Sequence, residues 1–597
     1  MRLYRASSLV LLPLFALQVG SAELTGPEAA TRGRFQPILG TAGMVVSDDR
    51  QASEWGAEVL RQGGNAVDAA VATAFAMAVT RPHYASLGGG GFLVYCPHPD
   101  KNGPRPCETL DYRETAPGKA YRDMFIKNGI ADVKAAQDGP LAIGTPGAPA
   151  GLLFALQKWG KLSRQKVLSR PIELAKKGYR FSTHSEAATQ ARWSAMNSAA
   201  KKIFGCDGAT GQQGAIASPS GPCPPGAKIR QPDLAHVLET LSKRGAAGFY
   251  EGPVAQKLIQ GIQKAGGILT LEDLRSYQPR LRRPLYQNYK EYELVSMPPP
   301  SSGGVLVLQL LRYAELADHQ GAFEEGYLSA PSLHAIIHGM SLAFADRATH
   351  FGDPEFVKVP ISPLLSHDYL VSRWKTFNKK KAQLPEAAGT IPRNAKRNGA
   401  GNEKLETTHL SVIDREGNAV ALTTTVNDNF GSAFVPPGTG IVMNNEMDDF
   451  SIHPGVPNLF GLVGDEANSI AAKKRPLSSM SPTIVRDHQG MVRIAIGAAG
   501  GPRIITSVFL SLLNRLQFGM TLTDAVSAPR IHQQWRPTDV KVEKNAIGFE
   551  TLSKLKTMGY ELDEVNSLAK VHALERLPDG RTWGAPDPRG EGAAVAE

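Results

Sequence analysis

What the chain lacks narrows its chemistry before any motif is considered. The four glycines Gly88 to Gly91 do not make a dinucleotide fingerprint, because Leu93 stands where the third glycine belongs. There is no phosphate-loop lysine, no His-Glu-x-x-His helix and no Gly-x-Ser-x-Gly elbow. Dinucleotide oxidoreductases, phosphate-loop enzymes, zinc peptidases of that type and elbow-serine hydrolases are therefore disfavoured. Positive charge is present, at a net +10, but its only short runs are Lys379-Lys380-Lys381 and Lys473-Lys474-Arg475. With no aromatic-interleaved basic stripe, nucleic acid is not an expected partner. Cysteine is scarce, at four residues. Four allow three pairings, and the sequence does not choose among them. Pairing of neighbours, Cys96 with Cys107 and Cys206 with Cys223, is the expectation, each bridge stabilising by about 3 kcal/mol on loop-closure grounds. No internal repeat and no interdomain linker interrupts the chain, and 42% hydrophobic with 20% charged residues describes an ordinary globular protein.

At the N-terminus, Arg2 and Arg5 precede an apolar segment, Leu9 to Leu17, and then Gly20-Ser21-Ala22. This pattern predicts a secretory signal over residues 1–22, cut after Ala22 and too short to anchor the chain in a bilayer. Met44 to Ser47 reads as a strand, and Ala52 to Gln62 as a helix stopped at Gly63-Gly64. Asn65 then caps an apolar helix from Ala66 to Thr80. The glycines before the strand Leu93-Val94-Tyr95 call for close backbone approach or unusual dihedrals. From Pro149 to Asn378 the pattern is mostly helical, with a Gly/Pro/Ser insertion from Phe204 to Lys228.

The richest stretch runs from Leu405 to Asp449. Thr407 to Ile413 and Asn418 to Val426 read as strands joined by Asp414-Arg415-Glu416-Gly417, a turn that puts Gly417 in the left-handed conformation. That loop sets Asp414 opposite Asn418 and Thr407 opposite Thr425. One face carries Leu410, Val412, Val420 and Leu422; the other carries Thr407, His409, Ser411, Thr423 and Thr425. Upstream, residues 382–406 are poor in large apolar side chains, which predicts an exposed segment. A cut between Glu406 and Thr407 would free an α-amine, of pKa about 7.7–8.0, to act as base for the Thr407 hydroxyl.

Several segments in fixed order resemble the γ-glutamyltranspeptidases. They are Leu110 to Pro117 around Arg113, Thr407-Thr408-His409, Thr425-Val426-Asn427, Asn444 to Phe450, Arg475 to Pro482 and Gly497 to Gly501. Met297 to Gly304, Ala343-Phe344-Ala345-Asp346-Arg347, Pro454 to Gly461 and Ala528 to Trp535 continue the likeness. These are self-cleaving N-terminal-nucleophile hydrolases. The resemblance implies an α/β (α+β) chain folded as a four-layer αββα sandwich, divided into a large subunit (23–406) and a small subunit (407–597). It implies hydrolysis of the γ-glutamyl amide of glutathione and related compounds through an ester on Thr407, with transfer to water or to amino acids and peptides. Neither a metal nor an organic cofactor is implied, and the expected location is periplasmic or secreted.

Role by role, the resemblance makes Thr407 the nucleophile, Thr425 its partner, and the backbone N–H groups of Gly500 and Gly501 the oxyanion donors. Arg113, Ser478 and Ser479 would take the donor's α-carboxylate. Glu446, Asp449 and Asn427 would take its α-ammonium. Phe460 lies in the expected lid, where bacterial relatives typically carry Tyr; lacking the hydroxyl, its closure is expected to be looser. His409, with only hydroxyl neighbours on its face, reads as structural, and Asp346-Arg347 as packing and ion pairing. Two other readings stay open: a glutaryl or cephalosporin acylase of the same fold, and an unprocessed relative that only binds γ-glutamyl peptides.

Overall fold

The computed structural model describes residues 38–207, 212–213, 219, 221–383, 407–453 and 455–597. The signal segment and Glu406, with the expected cleavage bond, lie outside the described residues.

Two antiparallel sheets of seven strands form the centre. The first runs in the order Arg280–Arg282, Glu108–Tyr112, Gly90–Cys96, Ala419–Thr425, Thr408–Ile413, Met44–Ser47, Ala593–Ala596. The second runs Ile38–Gly40, Thr582–Pro586, Lys570–Arg576, Val492–Ala499, Thr483–Arg486, Tyr292–Ser296, Leu285–Tyr289. Strands from both sides of residue 407 interleave in each sheet, so a cut there would divide one folded unit.

Alternation along the strands dictates the layers. Ile413, Ala419 and Ala421 of the first sheet share a core with Ile494, Ile496 and Ala573 of the second. Leu410, Val412, Val420 and Leu422 face the other way, onto the helix Ala66–Thr80 and its neighbours. The outer face of the second sheet is covered by the helices Gly303–His319 and Arg503–Leu516, with Ala330–His350 packed on the first of them. The resulting order, helix–sheet–sheet–helix, is the αββα sandwich that the resemblance implies.

Local signals account for much of this. Asn65 and Asp68 form a reciprocal cap on the buried helix Ala66–Thr80, as its sequence predicts. The preceding helix is Arg50–Arg61, beginning two residues before the predicted start because the Asp49 carboxylate accepts from Ala52 N and caps it. The strand after the glycines begins at Gly90. Close approach is the reason for these glycines: a Cβ on Gly89 would stand 2.0 Å from Thr425 O, and one on Gly91 2.3 Å from Thr423 O. Both disulfides pair neighbours, Cys96–Cys107 and Cys206–Cys223.

Asp414 ties the hairpin to the helical layer. Its carboxylate accepts from Gly417 N, Asn418 N and Asn418 Nδ2 at 2.8–2.9 Å, and from Ala66 N, the first residue of the buried helix, at 2.9 Å. Replacing it strands those donors, each buried N–H without a partner costing about 1–3 kcal/mol. Asp414→Ala should lower the apparent Tm by several degrees in calorimetry at fixed scan rate; an unchanged Tm would contradict this role.

Candidate active site

Thr407 stands just ahead of the strand Thr408–Ile413, whose partner Ala419–Thr425 ends beside it. The pairing runs from Thr408 opposite Thr424 to Ile413 opposite Ala419, which is the register read from the turn. The Thr407 and Thr425 hydroxyl oxygens consequently lie 3.3 Å apart. Asn427 N donates to Thr425 Oγ1 at 2.9 Å and fixes that hydroxyl beside Thr407. Asn427 holds a left-handed backbone (φ 78°) and donates through Nδ2 to Asn445 O.

Further along the same face, His409 Nδ1 meets Thr423 Oγ1 and its Nε2 meets Ser411 Oγ, each at 2.9 Å. Burial, and then the neighbouring His572, hold this imidazole well below the usual histidine range. His409 is thus a neutral bridge between hydroxyls, as its neighbours in sequence indicate.

Opposite the hydroxyl pair lies a cluster of buried charge. Arg113 Nη1 is 2.7 Å from Glu446 Oε2 and 3.7 Å from Glu114 Oε2, and its Nη2 pairs with Asp449 Oδ2. Glu446 and Asp449 reach the same guanidinium because they bracket a single 3-10 turn, Glu446–Asp449. Burial disfavours the Arg113 charge, but Glu446, Asp449 and Glu114 outweigh it and hold the guanidinium above its usual range. Burial likewise pushes the carboxyls up, against the opposing pull of Arg113: Glu446 well above its usual range, and Glu114 to about 8. Arg475 fixes the backbone here, donating to Arg113 O and pairing with Asp111 at 3.2 Å.

The Ser478-Ser479 loop is held by the proline-rich segment Met297 to Gly304. Ser302 N and Ser302 Oγ both donate to Ser478 O at 2.8 Å, and Ser478 N donates to Pro300 O at 2.9 Å. Gly500 and Gly501 form the turn between the strand Val492–Ala499 and the helix Arg503–Leu516, with φ of 136° and 55°. N–H groups at a helix start have no partner inside the helix and are suited to an oxyanion.

Phe460 closes the site from above. Its ring packs so tightly on Gly501 that a Cβ there would come within 2.6 Å of Phe460 Cδ1. The segment expected to be the lid is held by three bonds: Gln534 Nε2 donates to Phe460 O at 3.0 Å, Leu459 N to Asp448 Oδ2 at 3.0 Å and Asn458 Nδ2 to Asp449 Oδ1 at 3.3 Å. Pro454, the first residue of the expected lid, lies outside the described residues.

Nine of the expected residues wall one cavity: Arg113, Thr407, Thr425, Asn427, Asp449, Phe460, Ser478, Ser479 and Gly501. Glu446 stands behind Arg113, and Gly500 adjoins Gly501. Arg347 also reaches the wall, although the sequence reading gave it only packing and ion pairing; it instead donates to hydroxyls, Ser302 Oγ at 3.0 Å and Ser479 Oγ at 3.3 Å. Only its place in the Ala343 to Arg347 motif pointed to it. The cavity holds about 20 Å³, room for roughly one water.

Residues 52–597 match the model of the gamma-glutamyltranspeptidase family. The chain belongs to that family. The glutathione hydrolase proenzyme of Escherichia coli (strain K12) is 39% identical over 563 residues, covering 93% of this chain and 92% of that protein. The glutathione hydrolase proenzyme of Bacillus subtilis (strain 168) is 35% identical over 593 residues, 96% of this chain and 94% of that protein. Among solved structures, the γ-glutamyltranspeptidase of Helicobacter pylori is 35% identical, with a TM-score of 0.52 over 58% of this chain and 96% of that one. The cephalosporin acylase of Bacillus halodurans superposes with a TM-score of 0.77 over 94% of this chain and 97% of that one. At 24% identity, that second likeness shows the shared fold alone.

Glu114 gives the charge cluster a measurable signature. Its pKa is raised on folding, so the stability it allows is fully present below the unfolded value of about 4.3 and is lost as pH rises through about 8. Between about pH 6 and about pH 9 the wild-type Tm should fall more steeply than that of Glu114→Gln. Identical pH profiles would contradict a protonated Glu114.

Proposed function

We propose that this protein is a self-processing γ-glutamyltransferase and glutathione hydrolase, exported from the cytosol and acting without a cofactor. Family membership supports the reaction class. The observation that carries the assignment is the Thr407–Thr425 hydroxyl pair on one wall of a cavity whose other walls bear Arg113, Asp449, Ser478 and Ser479. A γ-glutamyl donor carries an α-carboxylate and an α-ammonium three carbons from the scissile carbonyl, and this wall offers partners for both.

In the proposed maturation, Thr407 Oγ attacks the Glu406 carbonyl, an N-to-O shift gives an ester, and water completes the cut. The products are a large subunit (23–406) and a small subunit (407–597) that remain one folded heterodimer, after loss of residues 1–22. The new α-amine of Thr407 is then the base for its own hydroxyl. Thr407 Oγ attacks the γ-carbonyl while Thr425 donates to and orients it. The tetrahedral oxyanion faces the N–H groups of Gly500 and Gly501, an interaction that lowers such barriers by about 3–4 kcal/mol. The C–N bond breaks, the Thr407 ammonium returns its proton to the leaving amine, and a γ-glutamyl ester remains. Water, or the amine of an amino acid or peptide, then attacks the ester with the same base.

Arg113, Ser478 and Ser479 are assigned to the donor's α-carboxylate. Asp449, Glu446 and Asn427 are assigned to its α-ammonium. Glu446, pushed well above its usual range by burial, would give up its proton as the ammonium arrives. Two neighbour-paired disulfides support export. Among the described residues no helix is long and apolar enough to cross a membrane.

A glutaryl acylase of the same fold would need no acid opposite an uncharged chain, so Asp449 on the wall favours a donor that carries an ammonium. Purified protein should turn over L-γ-glutamyl-p-nitroanilide at least about 100-fold faster than glutaryl-p-nitroanilide, since losing a charged hydrogen-bond partner costs roughly 1.5–3 kcal/mol per bond. Equal turnover, or preference for the glutaryl substrate, would contradict the assignment.

A further inference from the structure

Among the described residues, Arg347 is a buried cation on the cavity wall that the chemistry so far does not use. Arg347 lies near the end of the helix Ala330–His350, 6% exposed, with its guanidinium on the cavity wall. Its bonds to protein go to the neutral hydroxyls of Ser302 and Ser479. Among the described residues it has no ion-paired carboxylate; Asp449 acts on it only through space, and Arg113 opposes it. Burial draws it down to about 10, which still leaves it charged at neutral pH.

Arg113 is in the opposite condition. The Asp449 carboxylate is paired with its guanidinium, and Glu446 and Glu114 lie against it, so part of its charge is already offset when an anion arrives. A buried charge without a counter-ion is costly, and a fold that keeps one on a cavity wall is arranged for an anion that comes and goes. Ser479 links the two facts: its hydroxyl is assigned to the donor's carboxylate, and Arg347 already donates to that oxygen. Accepting from the guanidinium orients the Ser479 hydroxyl, whose own proton is not used in that bond.

We propose that Arg347 is a specificity-determining residue for the donor's α-carboxylate, supplying the un-neutralised positive charge of the pocket and orienting the Ser479 hydroxyl. This rests on the γ-glutamyl reading of the site. Arg113 then serves both ends of the amino-acid head, holding Glu446 and Asp449 for the ammonium while it flanks the carboxylate.

The test compares L-γ-glutamyl-p-nitroanilide with 4-aminobutanoyl-p-nitroanilide, which keeps the amine and lacks only the carboxylate. The ratio of their kcat/KM values measures carboxylate recognition. In the processed enzyme, Arg347→Gln should reduce that ratio by about 10- to 100-fold, chiefly through KM for the γ-glutamyl substrate, as expected for loss of a charged hydrogen bond. Arg347→Lys, which keeps the charge but not the fork, should recover part of it. A parallel fall on both substrates, or an unchanged ratio, would overturn the assignment. Should Arg347→Gln fail to mature, Arg347→Lys decides alone: a ratio at least about threefold below wild type supports the proposal, and a wild-type ratio sinks it. A wild-type enzyme that turns over neither substrate would remove the γ-glutamyl reading and this proposal together. Loss confined to the variants would count against Arg347 only if both substrates suffered alike.

Discussion

A slip of one residue between the strands Thr408–Ile413 and Ala419–Thr425 would turn Thr407 and Thr425 to opposite faces and drive Leu410 and Val412 out of the helical core. That register is the constraint on which the site depends. It is set at the turn, where Asp414 gathers the backbone of Gly417 and Asn418 and simultaneously caps the helix Ala66–Thr80. It is enforced along the strands, because each face is committed to a different core. At the open end, the glycines at 89 and 91 let a third strand lie against the hairpin where any side chain would meet a carbonyl. The hydroxyl pair is therefore a product of the whole sandwich, although it looks like a local feature.

Electrostatics supplies the second constraint. Burying Arg113 with Glu114, Glu446 and Asp449 would be expensive if every carboxyl were ionised, and burial instead pushes Glu114 and Glu446 toward their neutral forms. Arg475 on one side and the Ser302–Ser478 contacts on the other keep these groups in place, while the Gln534 side chain holds the Phe460 carbonyl beside them.

Much of this was legible in the sequence where the governing interactions are short-range. The hairpin register followed from the turn Asp414 to Gly417, and the helix Ala66–Thr80 from its Asn65 cap; the disulfide pairs, among which the sequence did not choose, are the neighbour pairs that were expected. The order of motifs pointed to the residues that wall the cavity. Contacts between distant segments were not legible. Arg347 and Ser479 are far apart in the chain, and nothing at either position announces that they meet. Similarly, nothing in the sequence indicated that Gln534, from a different segment, donates to the Phe460 carbonyl. The acids at 446 and 449 could be placed on one turn from their spacing, but their shared attachment to Arg113 required the fold.

The account turns on Thr407 becoming a chain terminus that carries its own base. N-terminal sequencing of the purified protein's smaller polypeptide tests this most directly, alongside Thr407→Ala prepared in the same way. The account predicts a fragment beginning Thr-Thr-His in the wild type and a single uncut chain in the variant. A wild type that remains whole yet hydrolyses glutathione, or a variant that is still cut before residue 407, would contradict it.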